Sequence, residues 1–233
     1  MSRVLLLAAG GLARETASSI AATGDHQILG MLDDSPTLHG QFVAGLEVLG
    51  GIEQATTIDA QLLICAGSGA ARQSIVASLA RLGVENTRYA THVSDAAQLG
   101  ARTTLGRGSI ILPGCVLTCD IEVGRHVVLM PNVVLTHDNW LGDYATLAAG
   151  VTLGGSTQIG ALSYVGMQAS VRQGLVIGDG ATLGMGSVLL QDQPAHSIWA
   201  GNPARMLKHH PDQSTTGKST SSKTTIEDTQ CVS

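Results

Sequence analysis

From Val93 to Leu189 every sixth residue is Leu, Ile or Val, through Leu99, Leu105, Ile111, Leu117, Val123, Leu129, Leu135, Leu141, Leu147, Leu153, Ile159, Val165, Val171, Ile177 and Leu183. A second rhythm lies on the first. Gly106, Gly124, Gly142, Gly160 and Gly178 each follow the apolar residue, at intervals of eighteen. Three hexads therefore make one larger unit, and that unit is one coil of a triangular parallel β-helix. Each short strand turns one branched apolar residue into a narrow prism while its neighbours face outward, and stacked coils bond to one another. The residue four beyond the apolar position is often small (Ala97, Ser109, Cys115, Ala145, Ser163, Ala169, Ala181, Ser187), as a crowded axis requires. The periodic glycines are expected at corners where φ must be permissive. A β-sandwich would show turn signals at intervals of about eight to twelve residues and no fixed six-residue period. With coils about 4.8 Å apart, residues 93 to 194 should form a column roughly 27 Å tall.

The first ninety residues have a different grammar. Arg3-Val-Leu-Leu-Leu-Ala8 reads as a strand, Ala9-Gly10-Gly11 as a turn, and the stretch through Ile20 as a helix. A second strand, Gln27 to Leu32, ends in Asp33-Asp34. A third, Gln61 to Ala66, runs through Gly67-Ser68-Gly69 into a helix from about Ala70 to Leu82. Strands alternating with helices predict a small Rossmann-like parallel α/β domain over residues 1–90, ahead of the β-helix at 91–208. In an open parallel sheet the ligand lies at the carboxyl ends of the strands, where Gly10, Gly11, Asp33 and Gly67 would gather. Ala8-Ala9-Gly10-Gly11-Leu12-Ala13 does not satisfy G-x-G-x-x-G, so a plain tight turn remains an alternative, as does a solvated cap for Asp33-Asp34. Residues 209–233, rich in Ser, Thr and Lys with little to bury, are expected to be a disordered tail.

The charge balance excludes several classes of partner. Net charge is −5 and there is no basic run, which argues against nucleic acid or an anionic membrane surface. The longest apolar runs, such as Val4 to Ala9, are too short to span a bilayer, and no signal-peptide pattern opens the chain; a cytoplasmic protein is expected. Cys65, Cys115, Cys119 and Cys231 form no C-x-x-C and are expected to be reduced, Cys115 as core filler.

Most outward positions of the coils are small or neutral, so His137-Asp138 stands out. An imidazole is the natural proton acceptor near neutral pH. Asp138 can orient it directly only if the chain bends there; a surface histidine with a chance acidic neighbour is the other reading. His92, His126 and His137 are the candidate ligands in the column, and their spacings fit no three-histidine zinc site, so no metal is expected.

Taken together, Ala9-Gly10-Gly11-Leu12-Ala13-Arg14-Glu15, Leu32-Asp33-Asp34, His137-Asp138, Leu141-Gly142-Asp143, Ile177-Gly178-Asp179-Gly180 and Gly201-Asn202-Pro203-Ala204-Arg205 resemble the bacterial nucleotide-sugar acetyltransferases. These include enzymes that N-acetylate UDP-linked 4-amino-4,6-dideoxy sugars and relatives described as sialic-acid O-acetyltransferases. The resemblance covers residues 1 to about 208. It implies a left-handed β-helix, a homotrimer with active sites between subunits, and transfer of acetyl from acetyl-CoA to a nucleotide-linked amino sugar for surface glycan synthesis. His137 would be the general base, Asp138 its acidic companion, and the Gly155 N–H the oxyanion donor. Gly10, Gly11, Leu12, Asp33, Asp34 and Gly67 fall where the nucleotide sugar is held. Thr146, Gly155 and Met167 fall along the coenzyme A groove. Two positions depart from the pattern: Leu12 stands where a His is usual, and Thr146 stands where many members carry another His. O-acetylation of a sugar hydroxyl and a non-catalytic nucleotide-binding β-helix remain the alternatives.

Overall fold

The computed structural model of the protein describes residues 2–209. The tail expected after the β-helix lies outside the described residues, except His209, whose main chain pairs with Ser197 in the closing hairpin.

Every hexad forms a two-residue strand whose second residue is the apolar one, from His92–Val93 to Val188–Leu189. Up to Ser170–Val171 each strand pairs in parallel with the strand eighteen residues on, as Val116 with Val134 and Leu117 with Leu135. Three sheets result, one per face of a left-handed parallel β-helix. From Ile111 upward the apolar series is buried, whereas Leu99, in the first coil with none beneath it, is 40% exposed. At the other end the strands Ser197–Ala200 and Arg205–His209 close the prism, with Trp199 and Ala204 packed on its core.

The corners turn for a different reason from the one the glycine rhythm suggests. Gly106, Gly124, Gly142, Gly160 and Gly178 do not take left-handed backbone. Their need is for space: a Cβ on Gly142 would stand 2.5 Å from the Ala161 nitrogen in the next coil, and one on Gly178 2.4 Å from that of Ala195. The left-handed position comes two residues later and also repeats every six, at Arg102, Gly108, Gly114, Asp120, His126, Asn132, Asp138 and onward to Gly186. Side chains bind the coils where corners leave main-chain groups open. Asp143 accepts from the Arg125 N–H at 2.7 Å and Asp179 from the Ala161 N–H at 2.8 Å, which accounts for the Asp of each Leu/Ile-Gly-Asp triplet.

The N-terminal part comprises β1 (Ser2–Leu7), α1 (Gly11–Thr23), β2 (His26–Leu32), β3 (Phe42–Val43), β4 (Leu46–Gly50), β5 (Gln61–Ile64) and α2 (Gly69–Arg81). Its sheet has the order β3-β4-β2-β1-β5 and is parallel except for the β3–β4 hairpin. The sequence signals β1, β2 and β5 but neither strand of the β3–β4 hairpin, two short runs on either side of Ala44-Gly45. Helix α1 lies between two apolar surfaces. Leu12, Ala13, Ala17 and Ile20 share one core with Val4, Leu6, Met31 and Leu63 of the sheet and with Ile110, Leu112 and Val128 of the β-helix. Ile110 and Val128 occupy outward positions of the coil; their burial by this domain contributes roughly 1.5–3 kcal/mol each. No helix among the described residues is long and apolar enough to cross a membrane.

The seam also buries His126. Its ring stacks on Tyr144 with centroids 5.2 Å apart and meets the edge of Tyr89 at 4.7 Å. Burial, helped by the Arg72 and Arg125 charges, pulls this imidazole from its ordinary 6.5 down to about 4. The unfolded chain therefore binds a proton that the folded chain refuses as pH falls below 6.5. Folding should lose up to about 3 kcal/mol from this residue between pH 6.5 and 4, with no further loss below. In urea melts across that range, His126→Asn is expected to cost stability at pH 7 yet show a shallower pH slope than wild type; equal slopes would refute the assignment.

Candidate active site

His137 sits at the corner between the strands Val134–Leu135 and Trp140–Leu141. The corner is completed by Asp138 in left-handed conformation, φ 58°, which folds the chain back so that two successive side chains meet. Asp138 Oδ2 lies 2.7 Å from His137 Nδ1, and both residues are exposed. The bend on which the sequence reading depended is present. With Nδ1 donating to the carboxylate, Nε2 is the nitrogen left with its lone pair free.

One coil further on, Gly155 occupies the equivalent corner position. A Cβ on it would lie 2.3 Å from His137 Nε2 and 2.4 Å from Cε1, with no other group among its three nearest atoms. The imidazole thus rests over the bare Gly155 backbone, and Ser156 N–H donates to the His137 carbonyl at 2.9 Å. Among the described residues no intramolecular acceptor takes the Gly155 N–H. Asn139, buried beside the pair, donates to the Gly154 carbonyl at 2.8 Å, and the Thr157 hydroxyl donates to the same oxygen at 2.6 Å. Those two side chains fix the peptide that leads into Gly155. Sequence reasoning missed Asn139; its signal was a carboxamide at a hexad position that is apolar in the hexads on either side, Val133 and Ala145.

The consequence can be tested. Gly155→Ala is expected to leave the melting temperature near wild type, because only an exposed side chain must move. The displaced imidazole should lower turnover by roughly two orders of magnitude. A variant with wild-type rate would show that the His137–Gly155 contact is incidental.

The remaining candidates lie elsewhere in the chain. The turn after β1 is held by Asp33, whose carboxylate accepts from Ala9 N–H at 2.8 Å and Ser35 N–H at 2.9 Å; Ala8 takes φ 73° there. Asp34 accepts from Ile52 N–H at 2.8 Å. Both acids therefore cap main chain, and Asp33 has each oxygen engaged. Gly10 and Gly11 are exposed. Leu12 and Gly67 line one cleft of about 520 Å³ between the domains, with Ser68, Val128, Met130 and Thr146. Thr146 belongs to this cleft and not to the His137 corner. It is 3% exposed, and its hydroxyl accepts from Arg72 at 2.9 Å. The strand Thr146–Leu147 lies on the face covered by the N-terminal domain, opposite the corner that carries His137. Met167, 46% exposed, stands at another corner, between Tyr164–Val165 and Ser170–Val171.

Arg72 was the second residue missed. Its guanidinium, fully buried and with no carboxylate partner among the described residues, donates to the carbonyls of His126, Ala66, Gly67, Tyr144 and Ala145 and to Thr146. Burial lowers its pKa to about 10, so it is still charged at neutral pH. It pins the Gly67 turn to two successive coils. Burial also pushes the Cys65 thiol up to about 12 and Cys115 to about 11, which suits core filler and not a nucleophile.

Residues 3–79 match the PglD N-terminal domain. The acetyltransferase domain of PglB from Neisseria gonorrhoeae FA1090 has the same fold throughout, with a TM-score of 0.80 and 25% identity. The match covers 89% of this chain and all of that one; a second structure of the PglB domain, 99% covered, is in complex with acetyl coenzyme A. PerB from Caulobacter crescentus, solved with CoA and GDP-perosamine, superposes with a TM-score of 0.81 at 23% identity, over 89% of this chain and 98% of that one. The chain spans only about a quarter of the length of the curated relatives it matches. One is a 2,3,4,5-tetrahydropyridine-2,6-dicarboxylate N-acetyltransferase of Enterococcus faecalis, 39% identical over 62 residues, 27% of this chain and 24% of that protein. The PglD-type domain and the β-helix thus carry the resemblance in both halves of the chain.

Proposed function

We propose that the protein transfers acetyl from acetyl-CoA to the amine of a nucleotide-linked amino sugar of the 4-amino-4,6-dideoxy type. The observation that carries this reading is the His137–Asp138 pair at 2.7 Å, lying against Gly155. The neutral amine attacks the thioester carbonyl and His137 Nε2 takes its proton. The Gly155 N–H donates to the oxyanion, which collapses with release of the CoA thiol. Asp138 holds the imidazole in the tautomer that leaves Nε2 basic. No covalent enzyme intermediate and no metal enters the chemistry. Met167 borders the coenzyme A groove, and the cleft at Leu12 and Gly67, with Gly10 and Gly11 nearby, takes the nucleotide. Asp33, with Asp34, shapes that cleft through the main chain.

The cleft and His137 lie on opposite sides of one prism, so a nucleotide bound in a chain's own cleft faces away from that chain's base. A homotrimer resolves this by setting the cleft of one subunit against the His137 corner of the next. The outward residues of one face, Gln98, Val116, Val134, Thr152, Ser170 and Val188, carry no charge, which suits subunit packing. Light scattering on a sizing column should give a mass near three times 23.9 kDa; a monomer that turns over at full rate would exclude the shared site. A reaction that draws on acetyl-CoA belongs in the cytoplasm.

The deciding assay is thiol release from acetyl-CoA against UDP-, dTDP- and GDP-linked 4-amino sugars, with free sialic acid as the hydroxyl acceptor. Turnover on an amino sugar supports the proposal. Turnover on sialic acid alone would establish O-acetylation instead, and nucleotide binding without turnover would establish a binding protein.

A further inference from the structure

At the seam between the two domains, on residues that no step above uses, Asp25, His26 and His92 bring three ligand atoms within 4.8 Å of one another. Asp25 follows the Gly24 cap of α1, His26 opens β2, and His92 opens the first strand of the β-helix. Asp25 Oδ2 lies 3.0 Å from His92 Nδ1 and 3.3 Å from His26 Nε2. Ligands held about 2.0–2.1 Å from a tetrahedral zinc ion stand about 3.3 Å apart, so both Asp25–His separations match coordination edges; without an ion the 3.0 Å one is a hydrogen bond, whereas the 3.3 Å one is not.

The outer partners have the matching arrangement. His26 Nδ1 meets the Ser2 hydroxyl at 2.6 Å, and His92 Nε2 meets the Ser19 hydroxyl at 2.8 Å. Each imidazole therefore turns one nitrogen to the shared carboxylate and fixes the other on a hydroxyl, as metal-bound histidines do. Hydrogen bonding alone leaves the cluster incomplete. Asp25 Oδ1 and His26 Nε2 are buried with no hydrogen-bond partner, although polar atoms in such positions are rarely left open. His92 is fully buried and Asp25 is 29% exposed, which gives an ion a route from solvent.

We infer that Asp25, His26 and His92 form a site for a divalent transition-metal ion of the zinc class, tying the N-terminal domain to the first coil. Two imidazoles and a carboxylate are donors of that class, with the remaining position open to water. The spacing test along the column could not find it, because two of its ligands lie some seventy residues away in the other domain. The ion would be structural, remote from the His137 corner.

The test uses the full chain stripped with chelator, then titrated with Co²⁺ and with Zn²⁺. One equivalent of Co²⁺ should give the intense visible absorption of a four- or five-coordinate ion, and Zn²⁺ should displace it. Zn²⁺ should also raise the melting temperature by at least roughly 3 °C, since a ligand bound only by the folded chain stabilises it. His26→Gln, which keeps a polar side chain at the seam, should abolish both effects, as should Asp25→Asn; His137→Ala should keep them. Circular dichroism and a cooperative melt without metal establish that a variant is folded. Absence of a one-equivalent band in wild type, or a band that persists in His26→Gln or disappears in His137→Ala, would overturn the inference.

Discussion

Replacing His137 by alanine is expected to lower turnover by two or more orders of magnitude while leaving the melting temperature within about 1 °C of wild type. Its side chain is largely exposed and bears on no core, so stability should not follow activity. General-base assistance contributes roughly 10²–10⁴-fold, and among the described residues His137 supplies all three atoms nearest a Cβ on Gly155, with no second imidazole there to replace it. Asp138→Asn should give a smaller loss, since a carboxamide can still meet Nδ1 but does not stabilise the imidazolium. Steady-state thiol release with an amino-sugar acceptor measures both. Full activity in His137→Ala would remove the mechanism while leaving the fold and the resemblance intact.

The second large effect concerns stability. Arg72→Met is expected to destabilise the protein by roughly 3–5 kcal/mol, because buried carbonyls on both domains lose their donors at once. For a chain of this size that is a fall of roughly 10 °C or more in melting temperature. The loss should be sharper than for a surface arginine such as Arg102, whose pairing with Asp120 is exposed. Because Arg72 also holds the Gly67 turn, affinity for the acceptor should weaken at temperatures where the variant is still folded. Thermal melts and acceptor KM values check the two parts separately; a melting temperature unchanged in Arg72→Met would show that water replaces the clamp.

The β-helix was legible in the sequence because its geometry repeats. A branched apolar residue every six positions and a glycine every eighteen leave one packing solution, and each of the seventeen positions became the inward residue of a strand. The role of the glycines was less legible. Composition alone does not tell a residue that needs positive φ from one that needs the absence of a Cβ, and only the coil above Gly142 reveals that the need is space. The His137–Asp138 pair could be named from its chemistry, but whether the two side chains meet depended on the left-handed corner at Asp138.

Contacts between distant segments were decided by tertiary structure. Arg72 reads as one more polar residue of a helix until two coils of the column present their carbonyls to it. His126 reads as a surface corner until Tyr89 and Tyr144 enclose it. Thr146, nine residues from His137 in sequence, lies on the opposite face because nine residues take the chain past the next corner and onto the covered side. The chain by itself determined the period, the two-part architecture and the residue types at the His137 corner. The tertiary structure decided which outward positions are buried and which charges lose their water, because those depend on how one repeating column meets one irregular domain, and no local period encodes that meeting.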